Sequence, residues 1–211
     1  MQNAQELFIE FARMGIVYAH LIACCVAIGL VLTSDLAMLK ELFNGDPTKR
    51  VDSKHLHDLQ STVTIALLAL WITGAALVSL DASIKGWQYF ENPKLQAKIL
   101  IVVLLTLNGV LLHRRVLPSM VRAGSLLKLS YGQTLLALGA GAASGVSWFY
   151  AAMLGIGRPL SWKYSLGQLM VAYPLLIGAG FFSMLLLTVW AKYRASGEQR
   201  AFQHTMLYAD T

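Results

Sequence analysis

Five ionisable side chains stand inside or at the edges of long apolar runs: His20, Asp35, His57, Lys98 and His113. Such groups are costly within hydrocarbon, so each marks a candidate function. At 100° per residue along a helix, His20, Cys24 and Asp35 fall within about 60° of one another. His57, Ser61, Thr64 and Trp71 form a second stripe, with His55 about 200° from His57 and turned to the loop. Lys98, Thr106, Gly109 and His113 form a third, within about 80°. Depth divides the ionisable groups: His57, His113 and Asp35 lie toward one face, while His20 and Lys98 lie toward the other, about 22 Å away.

Two chemistries follow. Neutral imidazoles from facing helices at one depth are how helical bundles hold haem iron, so His57 and His113 are expected metal ligands and haem b the expected cofactor. Arg114 and Arg115, with Lys54 nearby, would pair with propionates, because a guanidinium matches a carboxylate bidentately. The plainer alternative is two polar rings at a polar boundary. His20 and Lys98 form the second candidate, a catalytic proton-handling pair, because His20 lies about two turns inside its run and needs a partner. The plainer alternative for Lys98 is an amine that snorkels outward. Copper is a further alternative ligand for His20 beside a methionine, although the eight methionines show no Met-x-x-Met cluster.

The elements that must position these groups are read from the apolar runs. The chain has 211 residues, 56% hydrophobic and 13% charged, with a mean hydropathy of +0.57. Soluble domains carry about 25% charged residues. The deficit excludes a disordered chain and a nucleic-acid-binding arm, and argues against a soluble enzyme. A membrane helix needs about 20 mostly apolar residues. The expected fold is all-α: one polytopic transmembrane domain over 1–211, with five spans near 14–34, 57–80, 96–116, 133–154 and 166–191. Pro93 and Pro118 should bound the third span, and Pro174 should kink the fifth. The N-terminus has no basic stretch ahead of its apolar run, so a cleaved signal peptide is not expected.

Charge sets the expected orientation. Of the 17 basic residues, eleven follow spans one, three and five: Lys40, Lys49, Arg50, Lys54, Arg114, Arg115, Arg122, Lys128, Lys192, Arg194 and Arg200. The other six, Arg13, Lys85, Lys94, Lys98, Arg158 and Lys163, lie on the opposite side. Basic loops stay cytoplasmic, so the N-terminus is expected outside and the C-terminus inside, in a bacterial inner membrane. Trp87, Tyr89, Trp148, Tyr150, Trp162 and Tyr164 then read as an aromatic belt at the outer face. Cys24 and Cys25 are adjacent in an apolar run and read as small hydrophobes. Gly141 and Gly145 form a small-xxx-small pair for close helix approach, within the bundle or across a homodimer.

A histidine early in span one, followed by a third span reading KLQAKILIVVLLTLNGVLLHRRVLP, resembles the HemJ-type protoporphyrinogen oxidases. CopD-type copper-resistance proteins share part of this look. The resemblance covers roughly the first 120 residues. It implies a haem-b-binding bundle in which His20 and Lys98 are the key residues. The leading reading is therefore a membrane protein with a redox role, in electron transfer or oxidation of a hydrophobic substrate such as quinol or porphyrinogen. One alternative is a CopD-like copper or small-solute permease using His20 and Asp35. Another is a non-catalytic accessory subunit of a larger membrane complex, packed through span four. Membrane lipid is the expected surrounding partner, nucleic acid is not expected, and no glycine-rich nucleotide motif supports an ATP-driven pump.

Overall fold

The computed structural model describes residues 2–44, 53–124 and 126–209. Lys49 and Arg50, and the side chains of Lys54, His55, Arg158 and Arg200, lie outside what it describes. The described chain is all helical: α1 (Gln2–Asn44), α2 (Ser53–Lys85), a 3₁₀ turn (Trp87–Glu91), α3 (Pro93–Leu111), a π-turn (Leu112–Val116), α4 (Leu117–Ala123), α5 (Tyr131–Ile156), α6 (Leu166–Met170) and α7 (Ala172–Ala209). Five segments are long and apolar enough to cross a membrane: Glu6–Lys40, His57–Lys85, Pro93–Ala123, Tyr131–Ile156 and Leu166–Arg194. They correspond one to one with the five expected spans, and each is longer than its apolar centre.

Local chemistry explains where the helices begin and bend. Asn92 accepts from the Lys94 amide at 3.0 Å, and Pro93 supplies a first-turn residue with no amide to satisfy. Ser165 caps α6 by accepting from the Gln168 amide, while Gln168 Oε1 accepts from the Ser165 amide at 2.9 Å. Pro174 lies in the first turn of α7, immediately beyond the break at Val171, as a residue without a donor should.

Pro118 does not end the third span. The helix widens over Leu112–Val116, the Leu117 amide donates to Leu112 O, and α4 then carries the chain through Pro118 to Ala123. A proline at position 118 cannot donate to residue 114, and the π-turn sits where that bond is missing. Termination comes later, at Gly124, whose φ of 73° places it in the left-handed region.

The helices pack as a pair, α1 against α2, beside a row in which α5 lies between α3 and α7. Small residues allow the close approaches: a Cβ on Gly180 would meet Ala142 Cβ at 3.5 Å, and one on Gly139 would meet the Phe181 ring at 3.8 Å. The expected Gly141–Gly145 pair is not in such an approach: a Cβ on Gly141 would meet nothing within 4 Å, and one on Gly145 would meet only Asp35 Oδ2, at 3.5 Å. One core cluster gathers Ala97, Ile101, Tyr150, Leu154, Leu169 and Tyr173. Another joins the pair to the row through Ala27, Ala66, Leu105 and Trp148. The outer surface is the reverse of a soluble one: Ile72 and Leu186 are each 71% exposed, as lipid-facing side chains would be.

The aromatic belt is smaller than expected. Trp87, Trp162 and Tyr164 are exposed, but Trp148 and Tyr150 are buried in the two clusters just named. Tyr150 donates to Leu169 O at 2.6 Å, and Tyr173 bonds Ser147 at 2.8 Å. A phenol in apolar surroundings needs such a partner, and both bonds fasten α5 to the broken last span.

Candidate functional site

The best-formed polar seam lies between α1, α2 and α3. His20 Nδ1 is 2.7 Å from Thr73 Oγ1, and Thr73 Oγ1 is also 2.6 Å from Ala69 O. A hydroxyl has one proton, and the carbonyl can only accept. Thr73 therefore donates to Ala69 O and accepts from His20 Nδ1–H. That bond sets the tautomer and leaves the lone pair of Nε2 uncommitted. A Cβ on Gly74 would stand 3.6 Å from His20 Cε1, so the neighbouring glycine makes room for the ring. Lys98, near the start of α3, lies within electrostatic range of both His20 and Cys24. Cys24 stands one turn below His20 on α1, and among the described residues no hydrogen bond joins His20 to Lys98.

This seam is deep. Thr73 and Gly74 stand near the middle of the apolar segment His57–Lys85. Thr73 was not among the residues singled out by helical angle, because it lies about 160° from His57 around α2. The adjacent hydroxyl and glycine in the middle of an apolar run are the signal that points to it.

Toward the start of α1 a second polar group closes the same pair. Asp81 is buried, with Arg13 Nε at 3.1 Å from one oxygen and Lys85 Nζ at 3.4 Å from the other. Lys85 also lies over the Tyr89 ring, 4.9 Å from its centre. Asp81 and Arg13 were missed because each has the look of an interfacial charge. Partial burial, with the Asp81 carboxylate beside it, pushes the Tyr89 phenol up to about 12. The folded chain then holds a proton that the unfolded chain loses near pH 10, so this stabilisation is complete below pH 10 and is lost as pH rises toward 12. Phenolate absorbance titrated on wild type and Tyr89→Phe should differ by one group ionising near 12. A difference centred near 10 would show that Asp81 does not act on it.

His57 and His113 are placed differently from the seam. Both rings are exposed, as are Arg114 and Arg115, and His113 and both arginines sit in the π-turn. The faces that carry the two histidines do meet: Trp71 Nε1 donates to Thr106 Oγ1 at 3.1 Å, and these residues share the His57 and His113 stripes. Counting from that contact, however, His57 lies about 21 Å along α2 and His113 about 10 Å along α3. The two imidazoles are therefore offset by roughly 10 Å in register. Among the described residues no three His, Cys, Asp or Glu side chains gather as a metal site would require.

Asp35 does not stand with these histidines. α1 continues past it to Asn44, and Asp35 Oδ2 lies 3.5 Å from where a Cβ on Gly145 would be, near the middle of α5. A further polar residue, Asn108, donates to Ala140 O at 2.9 Å and ties α3 to α5.

The fold defines a polytopic membrane helix bundle, and its candidate site is a half-buried polar seam holding His20, Thr73 and Lys98. No protein family, curated protein or solved structure matches the chain.

Proposed function

We propose that this chain is a membrane redox protein that takes protons from a hydrophobic substrate, such as a quinol or porphyrinogen, at His20 and Lys98. The His20–Thr73 hydrogen bond inside an apolar bundle, with Lys98 in electrostatic range of the imidazole, supports the reading. His20 presents an uncommitted Nε2 as the proton acceptor, and the nearby ammonium of Lys98 stabilises the anion left on the substrate. Thr73 acts as a positioning residue. The orientation in this reading is N-terminus outside, in a bacterial inner membrane, with lipid as the surrounding partner.

Haem b is the proposed electron acceptor. The donor set fits in kind: exposed imidazoles at His57 and His113, with Arg114 and Arg115 beside the latter for the propionates. When bound, haem would supply one-electron chemistry that the side chains cannot. The two rings are offset by roughly 10 Å in register, so His113, with Arg114 and Arg115 beside it, is the residue that would hold the haem.

The visible spectrum of the purified, haem-replete chain tests this directly. A Soret band of single-histidine, high-spin form is expected, lost in His113→Ala and retained in His57→Ala. A colourless folded protein would overturn the haem assignment. Stoichiometric copper in the same sample would favour a CopD-like permease, and co-purification of a larger partner would favour an accessory subunit.

A further inference from the structure

A cavity of about 570 Å³ opens between α1, α5 and α7, away from the His20 seam. Its lining runs from Ala137 to Met153, seventeen residues of α5 and so about 24 Å. The space is long and narrow, within the volume range of small-molecule sites. Asp35 opens into it beside Gly145, close to its midpoint. Among the described residues Asp35 makes no ion pair and no hydrogen bond.

The chemistry of the walls selects the ligand. Apart from Asp35, the one lining side chain with a nitrogen or oxygen is Tyr150, and its hydroxyl already donates to Leu169 O. The cavity therefore offers an acceptor and no free side-chain donor. An anion, or a neutral ligand that only accepts, would lose its hydrogen bonds to water there and regain none. A hard metal ion requires several oxygen ligands, and here there is one carboxylate. An ammonium centre satisfies Asp35, and Phe149 and Tyr150 add aromatic surface suited to a cation. Because the carboxylate is central and the slot extends both ways, the charge must lie within the ligand rather than at its end. We propose that this cavity binds a hydrophobic monocation, an amine flanked by two apolar arms. This assignment goes beyond the redox reading and is independent of it.

The test uses the full chain in phosphatidylcholine nanodiscs, with binding corrected for uptake by empty discs. The probe is dihexylammonium, compared with its isomer dodecylammonium and with uncharged dihexyl ether. Saturable dihexylammonium binding is expected, stronger than that of dodecylammonium, with no saturable binding of the ether. Asp35→Asn should weaken it about tenfold or more, the worth of a charge-assisted bond. Gly145→Leu, which fills the middle of the slot, should abolish it, and this variant carries the test where Asp35→Asn does not fold. Undiminished binding by folded Asp35→Asn, equal binding of the ether, or tighter binding of dodecylammonium would each overturn the proposal. So would undiminished binding by Gly145→Leu.

Discussion

Leu154→Ala should weaken the folded bundle by about 2 kcal/mol, a factor of roughly 30 in its folding equilibrium. Leu154 is fully buried where α5 meets α3 and the broken last span, among Ala97, Ile101, Leu169 and Tyr173. In a water-soluble core the same change costs about 3–5 kcal/mol, part of it transfer from water. In a membrane the separated helices keep Leu154 in lipid, so most of the transfer part vanishes and lost packing remains. Leu186→Ala is the control, since its side chain is 71% exposed and lipid fills the space it leaves. It should change stability by less than about 0.5 kcal/mol. Reversible unfolding of both variants in mixed micelles measures the difference. Equal costs would mean that α5 is not packed as the structure has it.

That contrast bears on what a membrane sequence makes legible. Length and hydropathy specify the five spans because every backbone polar group must be satisfied within its own helix. Depth paired His20 with Lys98 as a candidate because ionisable groups are few and the position of each one matters. Hydropathy is silent on which apolar residues face protein and which face lipid, since both surroundings are apolar. Trp148 and Tyr150 therefore read as belt residues, yet each is buried between helices. Asp35 read as the close of span one because a serine and a carboxylate follow an apolar run. The apolar residues beyond it, Leu36, Met38 and Leu39, keep α1 going, and the carboxylate faces α5 instead. Pro118 read as a stop because the missing hydrogen bond was counted and the widened turn that accommodates it was not. Thr73 was passed over because it lies off the His57 stripe of α2, and in the fold its hydroxyl already bonds the carbonyl four residues back. Its remaining capacity to accept becomes visible only when His20 is opposite.

His20→Leu and Lys98→Met should each slow reduction of the haem-loaded chain by a short-chain quinol by about 10²–10⁴-fold, the usual contribution of a positioned proton acceptor. Reduction by dithionite needs no substrate proton to be accepted, so its rate should be unchanged in both variants. That pair of readouts separates a proton-handling role from damage to the fold, which would slow both donors. The two residues act on one transfer, so the double variant should be hardly slower than the worse single one. Thr73→Val belongs to the same argument at smaller magnitude. The hydroxyl does not touch the substrate; it accepts from Nδ1–H and so keeps the lone pair on Nε2. Removing it should cost about 10–100-fold, as loss of an orienting partner does elsewhere, and should change the ring ¹⁵N shifts of His20 toward a tautomer mixture. A leucine at position 20 that leaves quinol reduction at the wild-type rate would remove His20 from the reaction. In that case the half-buried imidazole would serve to fasten α1 to α2 through Thr73, a structural role the same hydrogen bond already permits.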